Sequence, residues 1–234
     1  MSNKITDVII LAAGKSSRFS KTANKLNQKI GNKSIIDISI EKFIKKKLIR
    51  DIYVAIGDKS IKIGASNRKI INQVKGSSSR MNSVLNVLRL LNAQESPPDN
   101  VIIHDAARPI IYEKDLKKLF SYIPKIKTGI AFGYPLTNAL KYIGRNGIIE
   151  KNLSRKNLYM TFTPQLLNFS RIIKSYEYLR KNKITVDDDL EVNTSVRLPI
   201  RGISLTTSEN TLSGNPGSIL TYTVSVSNSG SDPD

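Results

Sequence analysis

Short apolar runs alternate with helix-like stretches through the first 203 residues, and this alternation limits the fold more than any other feature. TDVIILAA at 6–13 reads as a buried strand that runs into Gly14. DIYVAIG at 51–57, NVIIHD at 100–105 and GIAFGYPL at 129–136 are strands of the same kind. Between them, Ser34–Lys47 has apolar residues at helical spacing (Ile35, Ile38, Phe43), and Arg80–Leu91 and Lys114–Tyr122 also read as helices. Strands that are apolar throughout need cover on both faces, and helical crossovers between them favour parallel pairing. The expectation is an α/β fold with a mostly parallel sheet covered by helices. Ligands in such sheets bind beyond the carboxyl ends of the strands, so the chemistry is expected in the loops that follow the strands.

Composition removes several classes of chemistry. The 234 residues include no cysteine, which excludes disulfide scaffolds, Cys-ligated zinc, Fe–S clusters and thiol nucleophiles. A single histidine excludes multi-His metal sites and weighs against a Ser-His-Asp hydrolase. No apolar run approaches the roughly 20 residues of a spanning helix. The opening MSNKITDVIILAAGKSS has an apolar run too short for a signal peptide, so a cytoplasmic location and no membrane are expected. The net charge of +18 suits polyanionic partners, although lysine stretches such as EKFIKKKLIRD usually form a solvated helix face. A basic nucleic-acid-binding protein would interleave aromatics with its basic runs. Aromatics are only 6% and do not cluster there, so no nucleic-acid partner is expected.

The composition changes at residue 204. Residues 204–234 contain no Lys or Arg and are rich in Ser and Thr, with Gly-Asn-Pro-Gly at 214–217. ILTYTVSVSNSG then alternates as a strand does through Leu220, Tyr222, Val224 and Val226. This stretch resembles the opening of a repeat from bacterial cell-surface β-sandwich proteins. The expected organisation is a catalytic domain at 1–203 and an atypical, chimeric-looking tail at 204–234.

Three loops carry candidate chemistry. After the first strand, Ala12, Ala13 and Gly14 let a ligand approach the backbone closely, and Arg18 and Lys25 follow as two cations. The GKS string is not a Walker A, because Ile9 stands where that motif needs glycine, and no GxGxxG is present. Two cations beside a small-residue turn suit a triphosphate, whose oxygens gain charge during transfer. The second loop, KGSSSRMNSV, offers Gly76, Ser77, Ser78 and Ser83 as a polar rim for a base or ribose, or else a serine-capped helix start. The third, VIIHDAARP, delivers His104 and Asp105 at a strand end and Arg108 before a proline. A lone carboxylate beside phosphate-binding cations is a Mg²⁺ candidate. His104 reads as a hydrogen-bonded structural histidine.

AAGKSSR with Lys25, GSSSRMNSV, HDAARP and RKNLYMTFTPQ (155–165) occur in the order and spacing of one family. Over residues 5 to 200 the chain resembles the 2-C-methyl-D-erythritol 4-phosphate cytidylyltransferases of non-mevalonate isoprenoid precursor synthesis. The resemblance implies a Rossmann-like (GT-A-like) nucleotidyltransferase fold with a protruding β-arm at about 136–159, and a homodimer formed through that arm. It implies that Ala12, Ala13, Gly14, Gly76, Ser77, Ser78, Ser83 and Arg108 bind the nucleotide. It assigns Arg18 and Lys25 to transition-state stabilisation and Asp105 to Mg²⁺ or another divalent cation. Arg155 and Thr163 are assigned to the sugar-alcohol phosphate. The implied reaction is attack of the substrate phosphate on the α-phosphorus of CTP, with pyrophosphate leaving.

The chain departs from that pattern in several places. Ser16 stands for a usual glycine, Asn24 for a usual proline, Ala139 for a threonine, and Val186-Asp187 for a Thr-Asp pair. No lysine follows Gly202, where the family carries a substrate-binding one. A ribitol-5-phosphate cytidylyltransferase and a catalytically impaired remnant therefore stand as alternatives.

Overall fold

The alternation resolves into one twisted sheet with helices on both faces. In this computed structural model the described residues are 4–14, 24–64, 71–186, 189, 203–209 and 218–228. The first half contains β1 (Thr6–Ala12), the two-residue strands β2 (Lys29–Ile30) and β3 (Lys33–Ser34), α1 (Ile35–Ile44), β4 (Ile52–Ile56) and β5 (Ile71–Lys75). It continues through α2 (Arg80–Asn92), β6 (Asn100–Asp105), α3 (Glu113–Phe120) and β7 (Gly129–Pro135). Then come β8 (Leu140–Ile143), β9 (Ile149–Leu153), β10 (Tyr159–Asn168), α4 (Phe169–Lys181), β11 (Ile203–Glu209) and β12 (Ser218–Asn228).

The large sheet has the order β11-β12-β7-β10-β6-β1-β4-β5. Strand β1 pairs in parallel with both β4 and β6, and β4 pairs in parallel with β5. Strand β10 runs antiparallel between β6 and β7, so β7 keeps the common direction. The mostly parallel expectation holds, with β10 and β12 reversed. Strand β10 escaped the sequence reading because Pro164 interrupts it. The register shifts there, between Phe162 and Gln165, at a cis Thr163–Pro164 bond. The chain continues directly from β10 into α4, whose buried face includes Ile172, Ile173, Tyr176 and Leu179.

Side chains of β1 alternate between two cores, as the period of two in a strand requires. Val8 and Ile10 join Ile36, Ile40 and Phe43 of α1 and Leu116 and Leu119 of α3 on one face. Ile9 joins Val84, Leu88 and Leu91 of α2 and Ile172 and Tyr176 of α4 on the other. Side-chain caps start α1 and α2: Ser34 accepts from the Asp37 N–H and Ser79 from the Asn82 N–H. Helix α1 stops at Ile44, short of the expected Lys47, and the following turn carries Ile49 back into the core. At the sheet end away from the strands' carboxyl termini, fully buried Asp7 is paired with Arg50, whose Nε lies 3.0 Å from Oδ1. That ion pair braces the scaffold and leaves the opposite end free to carry the chemistry.

Strands β8 and β9 form a separate two-stranded hairpin within the segment expected to be an arm. Gly147 turns it at φ +74, a left-handed conformation that favours glycine. Strands β11 and β12 continue the main sheet beyond β7, with Ser218–Tyr222 paired against Gly129–Gly133. Among the described residues, no helix is long and apolar enough to cross a membrane.

Candidate active site

The carboxyl ends of β1, β5 and β6 lie at one rim of the sheet, and a cavity of about 530 Å³ opens there. It is lined by Ala12, Ala13 and Gly14 after β1, by Ser77, Ser78 and Ser83 around the start of α2, and by Asp105 and Arg108 after β6. Lys25 also lines it, from a short 3₁₀ turn (Lys25–Asn27). This size and depth suit a small phosphorylated ligand. Arg18 lies outside the described residues.

Gly76 lies just beside this cavity, in an adjoining hollow shared with Ala13, Gly14, Ser77 and Ser78. Its role in the geometry is close approach. A Cβ on Gly76 would come within 2.4 Å of the Ala13 Cβ, and one on Gly57 within 2.6 Å of the Ala13 carbonyl oxygen. Three strand ends can converge on the Ala13 turn only because these two positions lack side chains. Ser83 is almost fully buried and shapes the serine loop from beneath. Its hydroxyl accepts from the Ser77 N–H at 2.9 Å and donates to the Ser79 carbonyl at 2.8 Å.

Asp105 is held between two guanidinium groups. Arg108 Nε lies 3.2 Å from Oδ2, and Arg80 Nη2 lies 3.5 Å from Oδ1. Arg80 is itself gripped by fully buried Asp189 at 2.5 Å, and the Tyr176 hydroxyl donates to the same carboxylate. Burial pushes Arg80 toward losing its proton. The attraction and hydrogen bond of Asp189, with Asp105 beyond, outweigh that and raise its pKa overall. Arg80 therefore stays a fixed cation at the cavity wall. Its place at the first turn of α2 gave no sign of this role, because its partner Asp189 lies far along the chain.

Beneath Asp105, fully buried His104 is a structural histidine, as expected. Its partners are Thr163 and the backbone of Arg108. Burial pushes its pKa down to about 4 against the opposing pull of Asp105, so the ring is neutral near pH 7. A carbonyl oxygen can only accept, so Nε2 carries the proton and donates to the Arg108 carbonyl at 3.1 Å. Nδ1 must then accept from the Thr163 hydroxyl at 3.0 Å. The same Thr163 oxygen accepts the Asp105 N–H at 3.1 Å. This chain of bonds fixes both ends of the Asp105–Arg108 loop to β10. Thr163, assigned by resemblance to substrate, is 5% exposed and is not among the residues lining the cavity. Thr163→Val keeps the shape but strands the part-buried Asp105 N–H and the buried His104 Nδ1. It is expected to cost about 2–6 kcal/mol in a denaturant titration, at 1–3 kcal/mol per unsatisfied group; a change under 0.5 kcal/mol would contradict these bonds.

Arg155 lies away from the cavity, exposed beyond β9, with its guanidinium donating to the Thr137 carbonyl. The described residues contain no cluster of three or more His, Cys, Asp or Glu side chains able to hold a metal. A single carboxylate at the rim fits an ion such as Mg²⁺ that arrives with its phosphates and keeps several waters. Asp105 fits that role.

The model of the family IspD, 2-C-methyl-D-erythritol 4-phosphate cytidylyltransferase, matches residues 6–201. The chain belongs to this family. The cytidylyltransferase of that name from Petrotoga mobilis is 35% identical over 193 residues, covering 79% of this chain and 82% of the relative. That from Acinetobacter baylyi is 30% identical over 184 residues, covering 77% of each. Among solved structures, the Francisella tularensis 2-C-methyl-D-erythritol 4-phosphate cytidylyltransferase superposes with a TM-score of 0.67 at 27% identity, covering 82% of this chain and 86% of that one. The family model spans β1 through α4 and therefore includes the whole cavity rim. It stops at the threshold of β11, so the two outermost strands lie beyond it.

Proposed function

We propose that this chain transfers a cytidylyl group from CTP to 2-C-methyl-D-erythritol 4-phosphate and releases pyrophosphate. The observation that carries the reading is one cavity at the sheet rim where the Ala-Ala-Gly turn, Lys25, Asp105 and Arg108 meet. An alcohol phosphate already has nucleophilic oxygens, so the protein need supply neither nucleophile nor general base. Its task is to hold two anions in line and to stabilise the charge that grows between them.

In this reading the Ala12–Gly14 backbone and the serine loop seat the nucleotide. Lys25 and Arg18 face the α-phosphate and the departing pyrophosphate. Arg108, and Arg80 behind Asp105, add fixed positive charge at the wall. Asp105 would hold Mg²⁺ or another divalent cation, which when bound neutralises charge on phosphate oxygens. Arg155 would grip the attacking phosphate, for which a guanidinium fork is suited. It does not line the cavity of its own chain, so the reading assigns it to the cavity of a second copy. Tyr142, Ile143, Ile148 and Ile149 of the β8–β9 hairpin are all about half exposed or more, which suits cover by that copy. Residues 1–203 would hold the site, with 204–234 an addition to it, in a cytoplasmic enzyme.

Release of pyrophosphate from CTP and Mg²⁺ is the test, with 2-C-methyl-D-erythritol 4-phosphate and ribitol 5-phosphate offered separately. Turnover with the first at least tenfold above the second is expected. The reverse preference would assign the chain to the ribitol reaction, and no turnover with either would make it an inactive relative.

A further inference from the structure

Lys25 lies on none of the strands that build the cavity. Its aim must come from whatever fixes its short turn, and that turn is tied on both sides to the loop after β4. On one side, Asn24 is 7% exposed and works in two directions. Its Oδ1 accepts the Leu26 N–H at 3.0 Å and caps the turn, while its Nδ2 donates to Asp58 Oδ2 at 3.0 Å. Asp58 is held in turn by the Ser60 N–H on Oδ1 at 2.8 Å. On the other side, Asn27 Nδ2 donates to the Ser60 carbonyl at 2.9 Å, and its Oδ1 accepts the Lys62 N–H at 3.2 Å. Between them Leu26 is buried in the core, 2% exposed. Lys25 is the charged residue of this turn that lines the cavity, beside Leu26, and its neighbours at 24, 26 and 27 are all anchored.

We propose that Asn24 is a positioning residue for Lys25: through Asp58 it references the lysine turn to the end of β4, so that the ammonium is aimed into the cavity before a nucleotide arrives. This rests on the reading in which Lys25 stabilises the transition state. Asn24 is not among the residues lining the cavity, so its effect on the reaction would run through the placement of Lys25. The bond from Asn24, with those from Ser60, also holds the Asp58 carboxyl below its usual range, so the acceptor stays charged where the enzyme would work. Prepaid orientation of this kind raises kcat rather than binding, because misplacement by about 1 Å can cost up to 10²-fold in rate.

A double-mutant cycle tests this, with kcat and the KM for CTP measured by pyrophosphate release and thermal midpoints recorded beside them. Asn24→Ala is expected to lower kcat about tenfold with the KM changed less than threefold, and Asp58→Ala to act in the same direction. Combining Asn24→Asp with Asp58→Asn exchanges donor and acceptor while keeping the cap and the Ser60 bond, and is expected to restore kcat to within threefold. Placed on Lys25→Ala, the Asn24→Ala change is expected to cost less than a further twofold. A tenfold loss from Asn24→Ala in that background as well would show a general structural role and overturn the proposal. So would an unchanged kcat in Asn24→Ala alone, or failure of the exchanged pair to recover when its thermal midpoint is normal. A loss under twofold from Lys25→Ala itself is a separate result, which removes the reading on which the proposal stands.

Discussion

Lys25→Ala is expected to lower kcat by about 10²–10³ in steady-state pyrophosphate release, the usual scale for removing one preorganised charge stabiliser. The effect falls on kcat because the charge to be stabilised is largest in the transition state, where the bond to pyrophosphate is breaking. Lys25 lines the same cavity as Asp105 and Arg108 and is partly buried there, so its field is less screened than at a fully open surface. The fold itself should not suffer, because Leu26, Asn24 and Asn27 hold the turn without the lysine side chain. Lys25→Arg is expected to recover only part of the rate, since a planar guanidinium cannot occupy the position of a compact ammonium. An alanine variant within twofold of the parent would remove Lys25 from the reaction.

Asp105→Asn is expected to have the second large effect, a fall in kcat of about 10²–10³. A metal-supplied stabilisation of several kcal/mol, at about 1.4 kcal/mol per decade, sets that scale. The amide retains the size of the side chain but loses the charge that a hard cation requires. It also releases the two guanidinium groups that face it, Arg108 at 3.2 Å and Arg80 at 3.5 Å. Arg80 keeps Asp189 as its partner, so the wall stays in place and the loss is chemical rather than structural. The Mg²⁺ concentration for half-maximal rate is expected to rise at least tenfold. An unchanged Mg²⁺ requirement with a normal kcat would contradict the assignment of the ion to Asp105.

The parts of this site legible in the sequence are those in which one short segment does the whole job. The Ala-Ala-Gly turn and His-Asp-Ala-Ala-Arg-Pro each follow a strand read from the sequence, and in an open α/β sheet that position alone points to ligand contact; the serine loop stood out by its Gly-Ser run, while the polar strand β5 before it went unread. What stayed hidden depends on pairs distant along the chain. Arg80 is a site cation only because Asp189 returns to grip it, and no local pattern records that. The link from His104 to β10 needed the antiparallel strand, which Pro164 interrupts and which the sequence reading therefore left unassigned. Asn24 read as a missing proline, whereas the fold uses its amide as a tie to Asp58. Gly76 read as part of a nucleotide rim, and its firmer reason is the Ala13 Cβ that a side chain there would strike.

A crystal structure with CTP and Mg²⁺ bound tests the central claim most directly. The account predicts the triphosphate in the cavity between the Ala12–Gly14 turn and Asp105. The Lys25 ammonium and the Arg18 guanidinium should lie within hydrogen-bond distance of the phosphates, with the metal between Asp105 and phosphate oxygens. A triphosphate seated elsewhere, or one bound here with Lys25 and Asp105 both out of reach of it and of its metal, would contradict the account.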